Sequence, residues 1–474
     1  MQKAFITHNP YKVITTIEVN GEFPQSDSKL IQYLHKSFNL WVNQIPSLLG
    51  DEYNDDEFEI TFKGIERDYQ DLLAAAKNAE KSGMSFTIKK IYAEEFEDKE
   101  ESIRKLYAKI KKLQLPNLEK AFNMVLDREL EIVVTATMSA GKSTLVNALL
   151  GQKLIPSKQG ACTATITRIK DDDDKTFKAT AVDAQGNELG HYSVLDYKIM
   201  SALNNNPEVS EIHVSGDIPF VTSDEASLVL VDTPGPNNAR DQNHVLVTNK
   251  ALDRSSKSLV LFVMNGCTLN DTVQDFYLKQ IVKSMSEGGN LSSERFMFVI
   301  NKLDGYDEED DNVESDVIKN VTEYLEEMGI KNPNIFPAAA LTALLIRRYE
   351  NSKDDEEKRK IIRALYPLAE KLIDVQQLHL EKYPKLDVNS QAKIDKELQE
   401  AIESGDIFGQ ALIHSGIRGI EEAIRTYAVK YFNMKNFSKS QRIVNTVNTL
   451  KSKADSIADE INTIKQELDA ILEI

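Results

Sequence analysis

Ala136-Thr137-Met138-Ser139-Ala140-Gly141-Lys142-Ser143-Thr144 joins residue types that can hold a phosphate chain. Small residues let successive backbone N–H groups converge on an anion, and a helix start adds its own unpaired N–H groups. In that frame Lys142 reaches the β- and γ-phosphates, and the Ser143 hydroxyl is a hard oxygen ligand for Mg²⁺. The pattern G-x-x-x-x-G-K-[ST] asks for glycine where this chain has Ala136. Alanine resists positive φ, so position 136 either has an ordinary φ or sits in a strained loop.

Three more groups follow apolar runs. Leu228 to Val231 leads into Asp232-Thr233-Pro234-Gly235. A carboxylate there can join a Mg²⁺ shell, and the Gly235 N–H can reach a γ-phosphate, although the same residues also suit an ordinary turn. Phe296 to Ile300 leads into Asn301-Lys302-Leu303-Asp304. Guanine presents N1–H and an N2 amine side by side, and one carboxylate accepts both. Adenine offers neither donor, so Asp304 would discriminate by roughly 1.5–3 kcal/mol for each charge-assisted bond. Asn301 would tie this loop to the phosphate loop, and the Lys302 stem would cover the base face. Asn334 to Ala340 ends in small residues, which would bring backbone N–H groups, Ala339 among them, to the guanine O6.

Order and spacing together predict a domain that binds GTP and GDP with Mg²⁺. Its nucleotide contacts would be Met138, Ser139, Ala140, Gly141, Lys142, Ser143, Thr144, Asp232, Gly235, Asn301, Lys302, Asp304 and Ala339, and its metal ligands would include Ser143 and Asp232. The elements that must position them read as a strand at Ile132 to Thr135, a helix from Leu145 to Leu150, and strands before Asp232, Asn301 and Ala338. The expected class is α/β, with a mixed, mostly parallel sheet flanked by helices.

These residues carry a family resemblance. Met138-Ser139-Ala140-Gly141-Lys142-Ser143 resembles the S-A-G-K-S phosphate loop of the dynamin superfamily of large GTPases. Asn147-Ala148-Leu149-Leu150-Gly151 with Leu154-Ile155-Pro156 is similar to a run in bacterial dynamin-like proteins. Gly160-Ala161-Cys162-Thr163-Ala164 aligns with their first switch, and Ser415-Gly416-Ile417-Arg418-Gly419-Ile420-Glu421-Glu422-Ala423-Ile424 resembles the helix that closes the GTPase domain. The resemblance spans about residues 129–437. It implies GTP hydrolysis, with Lys142 catalytic alongside Ser139 and Thr163. Thr163 would be a switch threonine that ligates Mg²⁺ and holds the attacking water. Ser139 would help bind a monovalent cation, K⁺ or Na⁺, in place of an arginine finger. Pro236 occupies the place where a Ras-like enzyme carries its water-orienting glutamine, and it cannot do that work. The resemblance therefore implies a site completed when two GTPase domains meet, hence a homodimer or larger oligomer formed through this domain and the helices.

The 474 residues carry a net charge of −18, with 28% charged and 41% apolar residues. That balance argues against nucleic-acid binding through the whole surface, so no nucleic-acid partner is expected, and it speaks against a translation GTPase, because phosphate neutralisation needs Lys and Arg. Acidic clusters at Asp171 to Asp174, Asp307 to Asp311 and Asp354 to Glu357 read as solvated loops. Two cysteines, Cys162 and Cys267, no secretory signal and no apolar run near 18 residues predict a cytoplasmic chain, with a peripheral place at the inner face of the membrane allowed. Seven histidines without ligand-like spacing predict no zinc site.

Four regions are expected. Residues 1–97 read as a small α/β module, with a strand from Tyr11 to Val19 meeting a turn at Asn20-Gly21, helices at Lys29 to Leu49 and Arg67 to Ala79, strands at Phe58 to Phe62 and Phe86 to Ile91, and Trp41 in the core. Residues 98–128 read as a neck helix, and residues 129–437 as the GTPase domain with a helical insertion at about 349–403. Residues 438–474 place Ile443, Val447, Leu450, Ala454, Ile457, Ile461, Ile464, Leu468 and Ile471 in alternating steps of four and three, a heptad seam about 40 Å long that begins a stalk or joins a bundle. The repeat is still running at Ile474, which suggests a chain cut within its stalk. Two functions follow: a dynamin-like protein whose nucleotide-dependent dimerisation remodels membrane, or a regulatory GTPase switch that assembles protein partners without touching lipid.

Overall fold

Alternation in Gln2–Asn9 places Ala4, Ile6 and His8 on one buried face. The computed structural model describes residues 1–9, 14–34, 38–91, 129–136, 139–156, 165–172, 174–221, 227–233, 258–266, 272–287, 295–306, 312–428 and 465–466. These fall into two units, 1–128 with 387–389 and 429–474, and 129–386 with 390–428.

The first unit is a four-stranded sheet in the order β2-β1-β3-β4, with β1 Gln2–Asn9, β2 Ile14–Val19, β3 Glu57–Lys63 and β4 Ser85–Ile91. β1 runs antiparallel to β2 and parallel to β3, and β3 runs parallel to β4. Helices α1 Ile45–Tyr53 and α2 Glu66–Glu80 accompany it. Trp41 is buried with Ile6, Phe58, Phe62 and Leu72 and stacks on Tyr33 at 5.4 Å. Asn20 and Gly21 both have positive φ and form the tight turn after β2 that bridges Val19 to Glu22. The single helix expected over Lys29 to Leu49 is not formed. Short 3₁₀ turns at Ile31–Tyr33, Phe38–Leu40 and Val42–Gln44 precede α1, which begins with Pro46 in its first turn. Proline lacks an N–H and clashes with the preceding turn, so the first turn of a helix is its favoured place. His8 Nδ1 lies 2.9 Å from Thr15 Oγ1, and Asp68 faces the other ring nitrogen at 3.8 Å. All three are buried, so this line braces the core of the unit.

The second unit holds a nine-stranded sheet in the order β13-β12-β11-β5-β10-β6-β9-β7-β8. The strands are β5 Glu129–Ala136, β6 Ile166–Asp171, β7 Lys178–Val182, β8 Glu188–Tyr192, β9 Glu211–Gly216, β10 Ser227–Asp232, β11 Leu259–Asn265, β12 Phe296–Asn301 and β13 Ile335–Pro337. From β13 through β10 all neighbours are parallel. β6 turns antiparallel to β10, β9 pairs parallel with β6, and the β7–β8 hairpin runs antiparallel. β11 and β12 are near-continuous apolar runs because helices cover both faces of a parallel sheet. Helices in this unit include α3 Lys142–Leu149, α4 Tyr197–Asn204, α5 Thr272–Glu287, α6 Asn320–Glu327, α7 Ala340–Asn351, α8 Asp355–Asp374, α9 Val388–Ser404 and α10 Ile407–His414, with residues 417–428 helical after them. Among the described residues, no helix is long and apolar enough to cross a membrane.

Two acidic runs differ from the solvated loops expected of them. Asp171 ends β6 with only 2% exposure and accepts the Ile218 N–H at 2.9 Å, so it ties two segments together. Asp354 caps α8 by accepting the Glu356 N–H at 2.9 Å, and Asp355, Glu356 and Glu357 fill its first turn. Carboxylates there offset the unpaired N–H groups and the positive end of the helix dipole. The neck residues 98–128 lie outside the described residues, as does the heptad segment from 438 apart from residues 465–466.

Candidate nucleotide site

Parallel order carries the C-terminal ends of β5, β10, β12 and β13 to one edge of the sheet, where α/β folds bind their ligands. The phosphate loop leaves β5 there and enters α3. Ala136 is the last residue of β5, buried, and has no positive φ. Strain is therefore absent at the position where the pattern asks for glycine. The left-handed positions come later, at Ser139 with φ +57° and Gly141 with φ +87°. Ser139 is exposed and Ala140 is buried beneath it.

Lys142, the first residue of α3, forms an ion pair with Asp232 at the end of β10. Their side chains are 12% and 11% exposed. Register fixes the pairing: Asp232 lies opposite Val134, and the Thr233 hydroxyl donates to the Val134 carbonyl at 2.9 Å. Ser143 follows Lys142 in the first turn. A carboxylate and a hydroxyl are hard oxygen donors of the kind Mg²⁺ takes, so the residues present fit that ion. With the ion bound they would supply ligands beside the phosphates.

Asn301 joins three loops. Its Nδ2 donates to the Ala140 carbonyl at 2.9 Å, its Oδ1 accepts the Ala340 N–H at 3.2 Å, and its carbonyl accepts the Gly266 N–H at 2.9 Å. A Cβ on Gly141 would strike the Asn301 amide nitrogen and lie 3.8 Å from Lys302 Cε. Gly141→Ala should therefore lose nucleotide affinity by about tenfold or more, from the clash and from about 1–2 kcal/mol of left-handed strain. Calorimetry with GDP on a variant that still melts cooperatively checks this.

Asp304 is 7% exposed, and its Oδ2 accepts both the Thr342 N–H at 3.2 Å and the Thr342 hydroxyl at 3.0 Å. Burial pushes its carboxyl above the usual carboxylate range, with the Thr342 bonds working the other way. Lys302 precedes it in a left-handed conformation, φ +74°. Thr342 was not legible as a site residue: it lies 38 positions from Asp304, and no spacing rule links them.

Ala339 differs from its expected role. Its N–H donates to the Ser415 carbonyl at 2.9 Å, because the turn at Gly416, φ +76°, brings that carbonyl under the loop. With Ala340 bonded to Asn301 and Thr342 to Asp304, Leu341 has the first-turn N–H of α7 for which no acceptor is found among the described residues. Met138, Thr163, Gly235 and Pro236 lie outside the described residues.

A second cluster escaped the sequence reading. His379, Glu381 and His414 bring ligand-type atoms within 4.8 Å of one another. The two rings stack at 3.7 Å and 8°, so an ion midway would sit about 1.9 Å, half that separation, out of each ring plane, where no lone pair points. His379 also faces the Ile373 carbonyl and Lys382 Nζ, each at 3.1 Å, and His414 Nδ1 faces Glu381 at 3.1 Å. The geometry is that of a hydrogen-bonded stack.

Residues 132–303 match the model of the dynamin family. An uncharacterised protein from the xynA 3′ region of Caldicellulosiruptor sp. is 27% identical over 249 residues, 52% of this chain and 54% of that one. A bacterial dynamin-like protein of Nostoc punctiforme is 24% identical over 207 residues, 38% of this chain and 29% of that one. The matches thus span about half or less of the length of these relatives. Two solved chains of an oligomerised bacterial dynamin pair, described as a mechanism for long-range sensing and tethering of membranes, are looser likenesses. Their TM-scores are 0.37 and 0.40 at 17% and 16% identity, over 85% and 84% of this chain and 85% and 56% of theirs. The phosphate loop, Asp232 and the Asn301–Asp304 loop all fall within or at the edge of the matched segment, so the part of the chain that is similar to the dynamin family is the part that holds the candidate site.

Proposed function

We propose that this chain binds GTP with Mg²⁺ and hydrolyses it, and that nucleotide-dependent dimerisation of its GTPase domain drives membrane remodelling at the inner face of the membrane. The observation that carries the nucleotide reading is the convergence of the Lys142–Asp232 pair and the buried Asp304 carboxylate at one sheet edge, joined through Asn301. In this reading Lys142 holds the β- and γ-phosphates, and Ser143, Asp232 and Thr163 hold Mg²⁺. The ion offsets phosphate charge when bound. Asp304 accepts the two guanine N–H groups. The left-handed, exposed Ser139 is free to face a second GTPase domain and a monovalent cation, and Thr163 holds the attacking water. The dimer and membrane parts rest on family resemblance. GDP, a homo-oligomer and a lipid surface are the proposed partners.

Specific activity should rise with protein concentration, by about tenfold or more across a hundredfold range, because Pro236 cannot orient water and a partner domain must complete the site. Ser139→Ala should cut turnover by about tenfold or more with nucleotide affinity less changed. Phosphate release measured against enzyme concentration, with and without anionic liposomes, tests both halves. A flat rate per enzyme rejects the dimer mechanism. A concentration-dependent rate indifferent to liposomes, with no liposome co-sedimentation, favours the protein-assembling switch.

A further inference from the structure

We infer that α8 and the turn after it clamp the base-recognition loop from behind, with Lys371 a positioning residue for guanine specificity. The inference rests on the guanine reading of Asp304 above, and it gives a role to part of the helical insertion between the base loop and the closing helix.

Lys371, in the last turn of α8, donates to the Tyr306 carbonyl and approaches the Asp304 carbonyl at 3.5 Å. Six residues on, Gln377 accepts the Val313 N–H through Oε1 at 3.0 Å, and its own carbonyl accepts the Tyr383 hydroxyl at 3.0 Å. One short stretch, 371–377, therefore holds the chain at Asp304–Tyr306 and again at Val313. A third anchor is apolar: Leu372, Leu378 and Leu380 share a buried cluster with Leu303, Tyr306 and Val313.

The division of labour is physical. Thr342 of α7 fixes the Asp304 side chain, and Lys371 of α8 holds the backbone two residues on, at Tyr306, while approaching that of Asp304. An ammonium among carbonyls at the C-terminal end of a helix is favoured by the helix dipole, and it leaves the carboxylate to the base. Reading two adjacent N–H groups with one carboxylate demands placement within a few tenths of an ångström, and a recognition side chain is only as exact as the shell that holds it.

The test uses the full chain and three probes with Mg²⁺: GDP, ADP and inorganic pyrophosphate. Lys371→Met keeps the alkyl stem and removes the ammonium. It should lower GDP affinity by about tenfold, leave pyrophosphate affinity unchanged and so shrink the GDP-to-ADP preference; Lys371→Arg should restore it. A folded Lys371→Met protein with the wild-type preference overturns the inference, and so does an equal loss for pyrophosphate, which would mean general damage. If Lys371→Met does not fold, Gln377→Ala releases the other end of the loop and must shrink the same preference; an unchanged ratio there overturns the inference too. Wild-type protein without any guanine preference overturns the guanine reading itself, and is told apart because no variant is needed to see it.

Discussion

Lys142→Ala should lose at least about a hundredfold in Mg²⁺–GDP affinity, whereas Asp232→Ala should bind GDP more tightly than wild type when Mg²⁺ is removed. Both follow from the ion pair between these side chains, each close to nine-tenths buried. Before a phosphate can reach Lys142, the lysine must leave Asp232. A nucleotide arriving alone brings several negative charges against that carboxylate, so wild-type affinity in chelator should be poor. Mg²⁺ changes the exchange by giving Asp232 a cation in place of the one it surrenders. Without Asp232 the lysine has no carboxylate to leave, and phosphate binding no longer meets like-charge repulsion. Without Lys142 a largely buried carboxylate loses its partner, which costs about 1–3 kcal/mol of ligand-free stability and removes the main phosphate cation. Titration calorimetry of the three proteins with GDP, in Mg²⁺ and in chelator, reads the pattern. Weaker binding by Asp232→Ala than by wild type in chelator would show that the pair is no latch.

What the sequence made legible was set by contact range along the chain. The apolar runs before Asp232 and Asn301 are strands β10 and β12, and the helix after Gly141 is α3, because local period and glycine placement decide those elements. The expected class, a mixed, mostly parallel sheet flanked by helices, is the fold observed. The link from Asn301 to the phosphate loop was also legible, since it follows from what the loop must do. Contacts between distant segments were not. Thr342 against Asp304, Lys371 against Tyr306, Arg347 against both the Ala148 carbonyl and Glu421, and the stacked His379–His414 pair join residues that no periodicity relates. Ala339 shows the same limit from the other side: a backbone N–H assigned to the base by position is taken by a carbonyl 76 residues away. In the first unit the error was local, a helix read through Pro46.

Asp304→Asn should make the ligand-free protein more stable at pH 7 and abolish its guanine preference. The carboxyl is buried, and burial raises its pKa above the ordinary 3.8. A raised carboxyl favours its protonated form in the folded state. Its contribution to stability is then most favourable below the unfolded value, declines as pH rises towards the folded value, and is unfavourable at neutral pH. Asparagine carries no charge, and its carbonyl oxygen can still accept the two Thr342 bonds, so the penalty disappears and the melting temperature should rise. Function moves the opposite way. Guanine N1–H and the N2 amine both need an acceptor, and replacing the carboxylate loses charge-assisted bonds of roughly 1.5–3 kcal/mol each, at least tenfold in affinity. The asparagine amide would instead suit xanthine, which has a carbonyl where guanine has its amine, so xanthosine diphosphate should gain on GDP. In the wild type the same titration should appear as a GTP-to-ATP affinity ratio that falls as pH drops through the raised value, since the two nucleotides share their phosphates and differ only at the base. Thermal melts without ligand, together with GTP, ATP and xanthosine nucleotide titrations across pH, separate the effects. An Asp304→Asn protein that melts lower than wild type at pH 7 yet keeps its preference for GTP would mean that this carboxylate is structural and that the base is read elsewhere.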